Sequence, residues 1–166
     1  MRNFLKALML AVLTAYCSGN EATQGAPLAP GVQQPVTVTR LASGSEPLTQ
    51  NSGISESTRL VVRDAAVWAD TWARIRPERP APALPAVDFS REMLIVAGLG
   101  TRPSGGHSII VESASREGES LQVVIRTETP VGCVGIAALT APVDVARVPR
   151  TDGDVRFTER NVTRNC

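Results

Sequence analysis

The spacing of apolar residues predicts one amphipathic helix in a chain whose other apolar runs are short. Downstream of Asp64, a favourable N-cap residue, apolar side chains recur at helical intervals until Pro77. We therefore predict a helix over about 64–76. Its apolar face is expected to carry Ala65, Trp68, Trp72 and Ile75.

Elsewhere the apolar runs have the length of strands and are separated by Gly, Pro and Asp. The segment 91–100 is continuously apolar, which is typical of a strand buried on both faces. A hairpin is predicted from strands over about 107–115 and 120–128, joined at 117–119. Further strands are predicted at 36–41, 58–64, 141–150 and 154–161. The pattern predicts a β-rich α+β domain, an antiparallel sheet or sandwich of about seven strands with one packed helix.

Composition and charge narrow the classes of function. Aromatic residues make up 4% of the chain, so Val, Ile, Leu and Ala must form most of the core, which favours strands. The chain has 17 basic and 16 acidic residues, and they are interspersed. This balance gives no electrostatic footprint for nucleic acid, and we expect no nucleic-acid partner.

The first 17 residues are interpreted as an export signal peptide. A cationic start precedes an apolar run from Ala7 to Ala15 that is too short to span a bilayer. The sequence "LTAYC" then resembles a bacterial lipobox, in which the cysteine, here Cys17, becomes the lipid-bearing N-terminus. Tyr16 departs from the small residue usual at that position, so ordinary cleavage nearby and a soluble product are the alternative.

Two further regions follow the signal. Pro, Gly, Ala and Gln dominate residues 18–35, which predicts a disordered tether, and residues 36–166 are expected to form a single β-rich domain. Ser18 gives no aspartate-type retention signal. We therefore expect an outer-membrane lipoprotein that faces the periplasm and contacts the membrane through its lipid anchor.

Export would place the cysteines in an oxidising compartment, where disulfides form. With Cys17 lipidated, Cys133 and Cys166 remain, and we predict that they pair. Two free thiols are the alternative. The bridge would close a loop of about 34 residues, which the loop-entropy treatment values at about 3–4 kcal/mol.

The stretch "TRPSGGHSII", residues 101–110, contains the single histidine of the chain. It follows "GLG" at the end of an apolar run, an arrangement that suggests nucleotide binding. However, Pro103 stands where a dinucleotide fingerprint needs its third glycine, and a strand pattern follows instead of a helix. The stretch is better explained as a tight connection in which Pro103 presets φ and Gly105–Gly106 permit positive φ.

Three other kinds of functional site can be considered for this sequence. A serine-type hydrolase would use Ser104 or Ser108 with His107, although their close spacing makes attack on a bound carbonyl doubtful. A ligand or glycan binder would stack its ligand on Trp68 and Trp72, although core packing is the simpler explanation of this pair. One histidine and two paired cysteines leave only carboxylates as metal ligands, so we expect no metal and no cofactor. Because no catalytic set of residues is evident, we also expect no enzymatic activity.

The run from Asp88 to Pro149 resembles the C-terminal domain of the PrcB family, named for a protease-complex subunit. The family pattern is an Asp-Phe start, a strand, a Gly-x-x-Pro-Thr-Gly-Gly-Tyr turn, a hairpin, a Pro-x-Gly segment and a Thr-x-Pro segment. With the upstream Trp-x-x-x-Trp helix, the resemblance covers about 58–150. The matching positions are Asp88–Phe89, Gly100, Pro103 to His107, Pro130–Gly132 and Thr140–Pro142.

Two positions depart from the family pattern, since Ser104 replaces the usual threonine and His107 the usual tyrosine. The resemblance implies a secreted or lipid-anchored accessory protein without established catalysis, and it does not by itself place the chain in a protease complex. We expect a non-catalytic envelope lipoprotein that binds another envelope protein, with a protease as one candidate. The expected contact surface is Arg102, Pro103, Ser104, Gly105, Gly106 and His107.

Overall fold

The computed structural model describes residues 33–43, 46–47, 50–80, 82–132 and 137–166, which form two sheets, a short ribbon and one helix. The helix α1 is Ala65–Ile75. The strands are β1 Gln34–Val36, β2 Thr39–Arg40, β3 Ala42–Ser43, β4 Glu46–Pro47, β5 Ser57–Val62, β6 Glu92–Leu99, β7 Ser108–Glu117, β8 Ser120–Val131, β9 Val143–Pro149 and β10 Val155–Asn165.

The strands are ordered β1-β7-β8-β10 in sheet A and β2-β9-β6-β5 in sheet B, and β3 pairs with β4. The predicted β-rich α+β class is confirmed. Within the described residues the two sheets contain eight strands, rather than the seven predicted, because the run predicted as one strand over 36–41 divides into β1 and β2.

The central strand β6 is buried on both of its faces, which explains its uninterrupted apolar sequence. Met93 and Ile95 pack into the core between the two sheets, whereas Leu94 and Val96 pack against the helix. Sheet B is therefore the middle of three layers, with sheet A on one side and α1 on the other. The inter-sheet core also contains Ala97, Leu99, Ile109, Val111, Ala114, Leu121, Val123, Ile125, Ala146 and Val148.

The helix begins and ends as predicted. The Asp64 carboxylate accepts the Val67 N–H at 2.9 Å, which satisfies one of the free donors of the first turn. Ala65 was expected on the apolar face but is exposed, and Thr71 completes the buried face beside the two tryptophans. The Thr71 hydroxyl donates to the Val67 carbonyl at 2.7 Å, so it can be buried without losing its hydrogen bond.

The predicted hairpin between β7 and β8 is confirmed as an antiparallel pair with an irregularity between Val111 and Ser113. The prediction of an antiparallel sheet is wrong for β10, which runs parallel to β8 from Val155, opposite Leu121, onward. Parallel neighbours need a crossover connection, and here β9 supplies it by returning the chain through sheet B. Sheet A is therefore mixed.

Residues 34–40 connect the two sheets at one side of the sandwich, and we call them the strap. β1 pairs with β7 of sheet A, and β2 pairs with β9 of sheet B. The strap begins at Gln34, inside the segment predicted as a tether. Arg40 anchors its end, because its guanidinium lies 3.3 Å from the buried Asp144 carboxylate, which accepts the Val111 N–H at 2.7 Å.

The opposite side of the sandwich is joined by an ion pair. Arg59 on β5 donates from Nε and Nη2 to the two carboxylate oxygens of Glu159 on β10, at 2.7 and 2.9 Å. The same guanidinium donates from Nη1 to the Gly98 carbonyl at 2.8 Å. The arginine thus links the edge strands of both sheets.

Several predictions concern residues outside the described part of the chain. The signal peptide, Cys17 and most of the tether lie there, as does Cys133. The main-chain N–H of Cys166 donates to the carbonyl of Val131 at 3.3 Å, and Val131 is two residues before Cys133 in the chain. This pairing favours the predicted disulfide, which stays a prediction. None of the helices in the described ranges is long and apolar enough to cross a bilayer.

Candidate functional site

The connection between β6 and β7, residues 101–107, is held in place at both ends and in its middle. At its start Gly100 has φ +77°, and a Cβ built there would lie 3.0 Å from the carbonyl oxygen of Ser55. The Thr101 N–H donates to that same oxygen at 3.0 Å. Glycine is required at 100 because both the backbone conformation and the close main-chain approach exclude a side chain.

The middle of the loop pairs with a distant segment. The main chains of Arg102 and Thr140 exchange two hydrogen bonds, of 2.7 and 3.0 Å. The Thr140 hydroxyl donates to the Ser104 carbonyl at 3.0 Å. Thr140 is the threonine of the Thr-x-Pro segment, so this element of the family pattern directly supports the turn.

The end of the loop rests against the end of β8 and the end of β10. Gly106 has φ +88°, and a Cβ there would lie 3.2 Å from Cγ of Pro130. Arg164 donates to the Gly106 carbonyl at 3.3 Å, and Gln50 to the His107 carbonyl at 3.4 Å. The glycine turn, the Pro-x-Gly segment and the Thr-x-Pro segment therefore meet in space.

The side chains that this loop presents differ in character. Arg102 and His107 are half-buried, while Pro103 is exposed. Partial burial lowers the pKa of His107, and the nearby Arg102 charge lowers it further. Because the pKa falls below its usual value near 6.5, the imidazole is mainly neutral at pH 7.

Two apolar side chains beside the loop were not identified from the sequence. Leu139, next to Thr140, is 74% exposed, and Val131, next to Pro130, is 52% exposed. Exposed apolar side chains that form a patch are a feature of protein contact surfaces, and both of these residues are next in sequence to residues that contact the loop. The neighbouring Thr-x-Pro and Pro-x-Gly patterns were the available sequence signal for this region. The exposure of Leu139 and Val131 could not be predicted from the sequence.

The geometry gives no support to a serine–histidine pair. Within the described residues no hydrogen bond joins the His107 imidazole to the hydroxyl of Ser104 or Ser108. The loop bonds run instead to carbonyl oxygens. The same part of the chain contains no group of three or more His, Cys, Asp or Glu residues placed to hold a metal ion.

The interpretation of the tryptophan pair as a ligand platform is wrong. Trp68 is 1% exposed and Trp72 is 4% exposed, and their rings lie 5.4 Å apart, centroid to centroid. Their indole N–H groups donate to the carbonyls of Pro85 and Pro82, at 3.0 and 3.2 Å. The proline-rich segment covers the rings, so they are core residues.

Taken together, the fold and the loop define a sandwich domain that carries a rigid, mixed polar and apolar surface at one end. Residues 93–149 match the family model described as PrcB C-terminal. This match confirms the resemblance to the PrcB family, and it includes every position from Gly100 to Pro142 that forms or supports the loop. Searches of curated proteins and of solved structures found no match.

Proposed function

We propose that this protein is a non-catalytic accessory domain that binds another protein of the cell envelope through the 101–107 loop. The observation that carries the proposal is the bracing of the loop by main-chain bonds to Ser55 and Thr140. A surface that is already ordered loses little conformational entropy on binding, which favours a specific complex.

The chemistry of the surface supports a protein partner. Arg102 supplies a guanidinium, His107 a neutral donor and acceptor, and Leu139 and Val131 supply apolar area. Arginine is enriched at protein interfaces, and exposed apolar area is a common part of protein contact surfaces. The match to the PrcB C-terminal model, together with the family's name for a protease-complex subunit, supports a protease as the partner.

Capture from envelope extract, with partners identified by mass spectrometry, tests the loop assignment. The bait is the full chain in three forms: unaltered, the double variant Arg102→Ala/His107→Ala, and Arg74→Ala as a control. Arg74 is an exposed arginine on the helix α1, outside the 101–107 loop. We expect a protease among the partners of the unaltered and Arg74→Ala proteins and its loss with the double variant. Identical partners for all three would disprove the loop assignment.

We further propose that a lipid on Cys17 holds the domain at the membrane. The proposal is supported by the cationic start, the short apolar run and the cysteine at its end. Two or more acyl chains anchor a protein stably, whereas one chain is marginal. Replacing Cys17 by serine should move the protein from the membrane fraction to the soluble fraction. An unchanged distribution, or an intact mass without lipid, would contradict the anchor.

A further inference from the structure

A concave surface lies near the end of β7 that is remote from the 101–107 loop. It is a cavity of about 460 Å³, and it is lined by Arg91 before β6, Arg116 near the end of β7 and Arg150 after β9. Glu119 and Asp152 also line it. We call it the arginine cavity. At about 3.3 Å per residue, the ten residues of β7 separate it from the loop by about 30 Å.

The floor of the arginine cavity is built by two arginines that bond carbonyl oxygens. Arg150 donates from Nη1 to the carbonyls of Arg63 and Phe89, at 3.0 and 2.9 Å. Arg63 donates in turn to the carbonyls of Thr151 and Gly153, at 3.1 and 2.9 Å. These bonds fix the segment 150–153 without using a carboxylate.

The hairpin tip between β7 and β8 forms one wall. The Thr151 hydroxyl donates to the Glu119 carbonyl at 2.7 Å and accepts the Gly153 N–H at 3.2 Å. A Cβ at Gly153 would collide with that same carbonyl oxygen, so the wall and the floor are in direct contact. The cavity is therefore a built feature of the fold.

The lining of the arginine cavity carries three guanidinium groups against the two carboxylates of Glu119 and Asp152. Asp152 binds Arg150 Nη2 at 2.9 Å, and its side chain is 84% exposed. Arg116 makes one long hydrogen bond, 3.4 Å to the Arg150 carbonyl, and Arg91 lies 3.9 Å from the Asp88 carboxylate. The guanidinium groups of Arg91 and Arg116 thus keep most of their donors available for a ligand.

We propose that the arginine cavity binds a phosphate group. The Arg150 guanidinium is committed to the floor, but those of Arg91 and Arg116 reach the cavity from two separate segments, and each presents a planar fork that matches two oxygen atoms. A carboxylate has two oxygens and can satisfy one fork well. A phosphate has at least three, arranged in a tetrahedron, and can accept from forks on several sides. The site does not depend on the proposed partner loop.

Isothermal titration of the full chain tests the proposal with three probes: inorganic phosphate, glycerol phosphate and succinate. Arg91→Gln and Arg116→Gln remove donors but leave in place the bonds of the Arg150 guanidinium to the Arg63 and Phe89 carbonyls, and Arg74→Gln is the control. We expect saturable phosphate binding that each cavity variant weakens by about tenfold or more and that the control leaves unchanged. Urea unfolding of each variant establishes that it is folded.

The probes also distinguish the source of the ligand. Tighter binding of glycerol phosphate than of inorganic phosphate would assign the site to a phosphate ester, and equal binding would assign it to the free ion. Succinate that binds as tightly as either would overturn the phosphate assignment. The proposal would also fail if the unaltered protein showed no saturable binding, or if both cavity variants bound phosphate like the control.

Discussion

Two loops near opposite ends of β7, the 101–107 loop and the 150–153 segment between β9 and β10, are held in place by different kinds of group. The 101–107 loop is held through its own main chain, which bonds Ser55, Thr140, Gln50 and Arg164, and by glycines at 100 and 106. The 150–153 segment is held by side chains, because Arg63 and Arg150 bond carbonyl oxygens across the arginine cavity. A loop fixed by its main chain leaves its side chains available for contact. A loop fixed by side chains has already committed those groups.

The largest effect is expected from Arg150→Met. This change leaves the partly buried carbonyls of Arg63 and Phe89 without their donor, and each unsatisfied group costs about 1–3 kcal/mol, so we expect about 3 kcal/mol of lost stability. The matched change Arg102→Met at the other loop should cost under about 0.5 kcal/mol, since its structural bonds are main-chain bonds. Urea unfolding measures both. Equal losses would remove the distinction between the two loops.

Gly100→Ala probes the main-chain loop directly. A left-handed conformation costs a non-glycine residue about 1–2 kcal/mol, and the new Cβ would also crowd three main-chain atoms at 3.0 Å, so we expect about 2 kcal/mol. Gly118→Ala is the control, because its φ is +61° and no atom lies within 4 Å of its Cβ position. The control should lose only the conformational part, about 1 kcal/mol. A smaller loss for Gly100→Ala than for Gly118→Ala would contradict the close approach.

Asp144 is the buried side chain that anchors the end of the strap through Arg40. Burial raises the pKa of this carboxyl, and the hydrogen bond from Val111 and the Arg40 charge only partly oppose the shift. The folded state therefore binds the proton more tightly than the unfolded state, so this group's contribution is fully present below the unfolded pKa and is lost as pH rises through the folded pKa.

The stability of the unaltered protein relative to Asp144→Asn should consequently fall as pH rises above 3.8, the usual pKa of an aspartate carboxyl. Urea unfolding of both proteins at each pH measures the difference. The exposed Asp70→Asn on α1 is the matched control. A difference that stays constant, or that grows with pH, would contradict a raised pKa for the Asp144 carboxyl.

The smallest effect is expected from Glu159→Gln. The bond to Arg59 joins the two edge strands, but the Glu159 side chain is 42% exposed, and ion pairs of this kind contribute about 0.5–1 kcal/mol. The loss should shrink in high salt, which screens such pairs. A loss above about 2 kcal/mol would mean that this side of the sandwich depends on a single bond.

The local elements were predictable because their signals are local. The helix could be placed from its N-cap and its apolar spacing, and β6 from its continuous apolar run. The β7–β8 hairpin followed from a short polar connection between two alternating strands. The 101–107 turn was also predictable, since Pro103 and Gly106 restrict or permit particular backbone conformations.

The long-range arrangement was not predictable, because it depends on which strands meet. The residues 151–154, "TDGD", join two predicted strands and suggest a simple hairpin. The chain instead passes there from sheet B to sheet A, and β10 becomes parallel to β8. Thr140 supports the loop from about forty residues away, and no spacing rule connects them. The arginine cavity likewise draws its cationic side chains from three distant segments, which share no pattern.

The strap has a mechanical consequence. A pulling force that enters the domain from its N-terminal side reaches β1 first, where only Gln34, Pro35 and Val36 pair with β7. If those pairs separate, the load passes to β2 and to the Arg40–Asp144 contact before it reaches the sandwich. The strap thus lies in series with the applied tension, and it can lengthen by a few residues while the core and the 101–107 loop keep their shape.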